Sequence, residues 1–179
     1  MKARILGILK YPGRNSSRVV FRDDGNRLRV EREDSIRLIW VDLPSTGVLF
    51  SGSIDVNSIP NADSEIEIEP EGMFVGGELV EFDGAEPADM PEEWSSAENV
   101  DVSVERVGRQ TLINGMPVDG DVVIGGFSYQ GKTIKPLLDK GRASSLSFAV
   151  TKEGVLIVRG ENAGNLALSP LDTESCISF

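Results

Sequence analysis

Apolar and polar residues alternate over short stretches of this chain, and Gly, Pro, Asn or Asp breaks the alternation about every six to twelve residues. A two-residue period gives each strand one dry face. A helix needs apolar positions three and four apart, and that spacing is nearly absent. The pattern predicts an all-β fold: one domain spanning residues 1–179, a sandwich or jelly-roll-like barrel of about ten or more short strands with one or two short helices. Two segments predict hairpins. Residues 19–22 and 27–30 flank Asp23-Asp24-Gly25-Asn26, and residues 111–113 and 116–118 flank Asn114-Gly115. Asp-Gly and Asn-Gly supply the positive φ of a tight turn, and Pro117, which cannot donate to a ladder, places its strand at an edge.

Further strands are predicted at 36–43, 47–56, 65–69, 73–83, 100–107, 122–129, 146–150 and 155–159. Short helices are predicted at 91–98, which opens with Pro91 and two glutamates, and at 136–140, which opens with Pro136 and is closed by Gly141. Residues 84–91 predict an exposed loop. At 179 residues the chain is long enough to bury roughly 70% of its unfolded surface. No apolar run approaches the length of a membrane span, and the five-residue run Ile5 to Leu9 is too short for a secretion signal.

Charge changes the picture more than composition does. Between Arg37 and Arg106 lie 68 residues with no lysine or arginine and 17 carboxylates. Residues 1–42 carry ten basic and six acidic groups, 43–105 none and sixteen, and 106–179 eight and seven, so +4, −16 and +1 give the net −11. Strand alternation in Glu65-Ile66-Glu67-Ile68-Glu69 and in Val100-Asp101-Val102-Ser103-Val104-Glu105 puts apolar side chains on one face and acids on the other. Glu65, Glu67, Glu69, Asp101 and Glu105 are therefore the candidate partner-binding residues. The expected partner is a protein with a basic surface, either another protein or the Arg-rich 14–37 segment of a second copy, in an oligomer or larger assembly. Seven arginines between Arg14 and Arg37 are interleaved with acids and form no sharp phosphate footprint, so nucleic acid is not the expected partner.

The chain has no histidine and one cysteine, Cys176. Imidazole-based triads, His-ligated zinc and copper, thiolate zinc clusters and an internal disulfide framework are all excluded. The segment Gly126-Phe127-Ser128-Tyr129-Gln130-Gly131-Lys132-Thr133 matches the phosphate-loop pattern GxxxxGK[ST], but Pro136 interrupts the required helix and Phe127 and Tyr129 alternate as strand residues do. Asp55, Asn57, Asn61, Asp63 and Glu65 form an oxygen-rich 55–65 loop without EF-hand spacing, Pro60 standing where glycine is required. Cys176-Ile177-Ser178-Phe179 sits like a prenylation box but lacks its aliphatic and basic context. No catalytic residue, metal or cofactor is expected. The composition reads as a non-enzymatic assembly protein, a virion (capsid or tail) β-barrel subunit, located in the virion or cytoplasm. The alternatives are an acidic inhibitor or immunity-type protein that mimics nucleic acid, and a phosphate-loop nucleotide-binding enzyme.

Overall fold

The computed structural model describes residues 1–11, 17–84, 96–140, 146–160 and 164–171. It is mostly β, with seventeen strands among the described residues, arranged as sandwich-like sheets without a closed barrel. The chain gathers into two compact units, Met1–Glu93 and Trp94–Phe179.

The first unit opens with a 3₁₀ helix, Ala3–Lys10. Ala3, Leu6 and Leu9 recur every third residue and are fully buried, which is the period of a 3₁₀ turn, while Lys2, Arg4 and Lys10 are exposed. Strands β1 (Arg18–Asp23), β2 (Arg27–Glu33), β3 (Arg37–Pro44), β4 (Phe50–Asp55) and β8 (Asp83–Gly84) form one antiparallel sheet in the order β8-β4-β1-β2-β3. Strands β5 (Ile66–Glu69), β6 (Gly72–Val75) and β7 (Glu78–Glu81) form a separate meander. Val19, Phe21, Leu28, Val30, Trp40 and Ile54 are among the buried apolar positions of the larger sheet. The β1–β2 turn is the predicted one. Gly25 has φ +85°, and the Asp24 carboxylate accepts from the amides of Asn26 and Arg27 at 2.9 Å.

In the second unit, β9 (Glu98–Val100), β15 (Leu146–Val150), β16 (Leu156–Gly160) and β17 (Gly164–Leu168) are ordered β17-β16-β15-β9. Strands β10 (Val104–Val107), β11 (Gln110–Ile113) and β12 (Met116–Pro117) form a meander with Pro117 on its edge. Strands β13 (Asp121–Ile124) and β14 (Phe127–Gln130) form a hairpin that leads directly into helix α1 (Gly131–Lys140). The Asn114-Gly115 turn has φ +50° and +79°, the two consecutive positive values of a type I′ hairpin.

Three predicted strands are each two. Residues 73–83 divide at Gly76-Gly77 and residues 122–129 at Gly125-Gly126, where paired positive-φ glycines reverse the chain. Residues 100–107 divide between two sheets, because β9 pairs with β15 while β10 pairs with β11. The helix predicted at 136–140 begins at Gly131 and carries Pro136 inside it, a position that leaves the Lys132 carbonyl without an i+4 donor. The 84–91 loop and most of the 91–98 helix lie outside the described residues. Glu98 itself begins β9.

Candidate functional site

The phosphate-loop pattern occupies a strand-to-helix junction with no loop in it. Phe127–Gln130 is strand β14, paired in register with β13, and α1 starts at the next residue. Strand runs straight into helix, so there is no loop whose amides could curl around a phosphate. Gly131 has a packing reason instead: its amide donates to the Gly120 carbonyl at 3.0 Å, and a Cβ there would sit 2.5 Å from that same oxygen. The Thr133 hydroxyl donates to the Gln130 carbonyl at 2.6 Å and is buried, so it is not free for magnesium. The enzyme alternative is corrected on these grounds.

Two lysines already occupy part of the oxygen-rich 55–65 loop, and one of them pairs with its Glu65 carboxylate. Lys10 Nζ donates to the Pro60 carbonyl at 2.7 Å, and Lys2 Nζ to the Asp63 carbonyl at 2.9 Å and to the Glu65 carboxylate at 2.7 Å. The Asp55 carboxylate caps the Val56–Ser58 turn by accepting from the Asn57 amide. Among the described residues no three acidic or thiol side chains gather as a metal site.

The candidate partner-binding residues fall in different places. On β5, Ile66 and Ile68 are buried while Glu65 and Glu67 are exposed and Glu69 is half-exposed, as alternation requires. The hydrogen bond from Lys2 holds the Glu65 carboxyl below its usual range. Glu69 is raised by partial desolvation and by Glu71 and Glu67 beside it. Asp101 and Glu105 are exposed but share no strand: Asp101 lies between β9 and β10, and Glu105 is on β10 opposite Leu112. They belong to the second unit, whereas the three glutamates belong to the first.

The arginines of the first unit are largely used within it. Arg18 pairs with Asp83, Arg37 with Asp34 at 2.7 Å, and Arg22 with Glu31 at 2.8 Å. Arg29, only 3% exposed, donates to Asp42 at 3.1 Å and lies 5.2 Å from the centre of the Trp40 ring, whose Nε1 also donates to Asp42. Arg32 donates to the carbonyls of Leu9 and Tyr11. Part of the expected basic-to-acidic contact thus forms inside one chain, as Arg18 to Asp83 and Lys2 to Glu65. Arg14 and Cys176 lie outside the described residues.

Sequence reasoning missed where the exposed helical cations sit. Arg4 is exposed on the Ala3–Lys10 helix, Lys132 is exposed on α1, and Lys135, half-exposed one turn further along α1, stands 3.4 Å from Asp119. Each unit therefore has a helical segment with exposed lysine or arginine, although α1 also exposes Asp139, which pairs with Arg106. The only signal for the first helix was a three-residue period too short to separate from a strand end.

No protein-family model matches the sequence, and no characterised protein matches it at sequence level. The fold does have counterparts among solved structures. A Helicobacter pylori β clamp in complex with diflunisal superposes with a TM-score of 0.59 at 10% identity, covering 95% of this chain and 64% of that one. A DNA polymerase III β-subunit sliding clamp from Bartonella birtlesii gives 0.56 at 11% identity, covering 99% and 66%. A Helicobacter pylori β clamp bound to a DNA ligase peptide gives 0.53 at 10%, covering 94% and 61%. The chain thus spans somewhat less than two thirds of the length of these clamps. The expectation of a virion jelly-roll subunit is overturned: the chain has a sliding-clamp-like fold, in which two- and three-stranded sheets and helical segments accompany longer antiparallel ladders, not two jelly-roll sheets. No helix among the described residues is long and apolar enough to cross a membrane.

Proposed function

We propose that this chain is the non-enzymatic subunit of a clamp, several copies of which close into a ring around duplex DNA and hold a DNA-processing protein on its template. The observation that carries this reading is the fold likeness to sliding clamps across 94–99% of the chain. The charge distribution supports it. A protein of net charge −11 is repelled by phosphates as a whole, so binding by simple affinity would be weak. A closed ring needs no strong affinity, because topology retains the DNA, and a few cations suffice to face the backbone. Arg4 and Lys132, exposed on the two helical segments, are the residues for that task. Nucleic acid accordingly replaces the expected basic protein as the threaded partner, and the cytoplasm rather than the virion is the place of action.

The test separates linkage from affinity. A linear duplex is ligated into a circle in the presence of the protein, washed in high salt, and then cut once. Retention on the circle with release on cutting is expected, together with a multi-subunit native mass by light scattering. A monomer at all concentrations, or equal retention on linear and circular DNA, would sink the reading.

A further inference from the structure

The outer edge of β5 has features that a ring around DNA does not explain. Strand β5 is the edge of its meander, and on its open side only its beginning is covered: Met1 and Ile66 exchange backbone hydrogen bonds at 2.7 Å, and the Ala3 amide donates to Ser64. Among the described residues no strand pairs with that side beyond Ile66. In an antiparallel ladder every second residue turns its N–H and C=O outward, so Ile68 presents the next unpaired pair. This edge opens into a groove of about 980 Å³, whose other wall includes Pro44 and Val48, the latter 51% exposed.

The chemistry of the groove is as specific as its geometry. Lys2 neutralises Glu65, but neither Glu67 nor Glu69 has a cation at ion-pair distance among the described residues. Phe74 lies directly across from Glu67 on the same face and lines the groove half-exposed, offering a ring to a cation. We propose that the β5 edge docks an extended segment of a partner protein that carries a lysine or arginine on each side of one aliphatic residue, added as a strand beside Glu67–Glu69. In that register the two cations stand across from Glu67 and Glu69, and the aliphatic residue turns to the opposite face, the side of Ile68. The raised Glu69 carboxyl fits, since a cation would relieve its crowding by Glu71 and Glu67. The chain's own triplets of this pattern are both engaged, Arg27-Leu28-Arg29 in β2 between β1 and β3 and Lys2-Ala3-Arg4 at the start of the 3₁₀ helix with Lys2 on Glu65, so the occupant is another protein and not a second copy.

The probe is a fluorescein-labelled peptide, Thr-Arg-Val-Arg-Thr, titrated by anisotropy with the full chain in the absence of DNA. Two control peptides carry glutamate for arginine, or an N-methylated valine that cannot donate to the Ile68 carbonyl. Each control is expected to bind at least about tenfold more weakly. The double variant Glu67→Arg/Glu69→Arg should lose the arginine peptide and gain the glutamate one, and the milder Glu67→Gln/Glu69→Gln should weaken arginine-peptide binding without reversing the preference. Equal binding of the N-methylated peptide would refute strand addition. Unchanged binding to both double variants would refute the site, leaving nonspecific attraction to an acidic protein. Because no DNA or ring closure enters the assay, its failure would leave the clamp reading untouched, and the reverse also holds.

Discussion

Replacing Gly131 with alanine tests whether GFSYQGKT is a packed junction or a phosphate loop. The new methyl carbon would stand 2.5 Å from the Gly120 carbonyl oxygen, 2.8 Å from the Val118 carbonyl carbon, and closer still to the Val118 oxygen. These are backbone atoms, so relief requires moving the turn before β13 rather than rotating a side chain. Overpacking of this kind costs about 1–3 kcal/mol. The gain in helix propensity from Gly to Ala, up to about 1 kcal/mol in a helix interior, is smaller at the first residue and does not cancel it. A net loss of about 1–2 kcal/mol, with a urea slope of about 2 kcal/mol per molar, moves the unfolding midpoint down by roughly 0.5–1 M. Lys132→Ala, on the exposed side of α1, should stay within about 0.5 kcal/mol of the parent. Circular dichroism during urea titration measures both, and isothermal titration with magnesium and ATP should show no saturable binding to any of the three proteins. A Gly131→Ala midpoint at or above the parent's, or nucleotide binding abolished by Lys132→Ala, would refute the reasoning.

Gly115→Val forces a β-branched residue into φ +79° and should destabilise the β11–β12 hairpin by about 1–3 kcal/mol, seen as a lower denaturant midpoint. Tyr129→Phe removes a buried hydroxyl that donates to the Gly154 carbonyl at 2.6 Å, and the stranded carbonyl should lower stability by about 1–3 kcal/mol. Burial pushes the Tyr129 phenol up to about 12, so in the parent the tyrosinate absorbance change at this residue should come later than that of an exposed tyrosine. Two acids should pull the pH profile in opposite directions. Burial raises Glu31 above its ordinary 4.5 despite Arg22 and Arg29, so the folded chain takes its proton first and stability rises as pH falls through that raised value; Glu31→Gln should flatten the rise. Asp23 is desolvated too, but hydrogen bonds from Ser45, Thr46 and Gly25 outweigh this and hold it below 3.8, so its contribution is present above 3.8 and lost as pH falls through the depressed value. Thermal melts from pH 3 to 7 on parent, Glu31→Gln and Asp23→Ala check both signs.

Strand content was legible wherever alternation and a turn dipeptide agreed, as at Asp24-Gly25 and Asn114-Gly115. It blurred where the glycines themselves sat inside an apolar run: Val75-Gly76-Gly77-Glu78 and Ile124-Gly125-Gly126-Phe127 look continuous by hydropathy, although paired glycines are as good a type I′ signal as Asn-Gly. Strand β17, Gly164–Leu168, is not legible because Asn165, Ala167 and two leucines make a weak β signal. The exposure of Glu65 and Glu67 followed from period two alone. What could not be read was which charges were already answered, because Lys2 to Glu65 and Arg18 to Asp83 join residues more than sixty positions apart. The Arg-rich stretch, expected to meet the acidic segment within one subunit or between two, is largely paired within its own unit, whereas Lys132, half-hidden in a motif match, is one of the exposed cations.

The two-residue turns have a kinetic consequence. In the second unit, β10–β11, β11–β12 and β13–β14 each close over two residues, and hairpins of that kind form in about 1–10 μs. The β9–β15 ladder is different: it joins Val100 to Phe148, a separation of 48 residues. Loop-closure entropy rises with the length of free chain, so every hairpin completed between these strands shortens the path that must be closed. The second unit should therefore assemble as a zipper of local reversals followed by one late closure of β9 onto β15, and the rate of that last step, not of strand formation, sets how fast a newly made chain acquires its sheet.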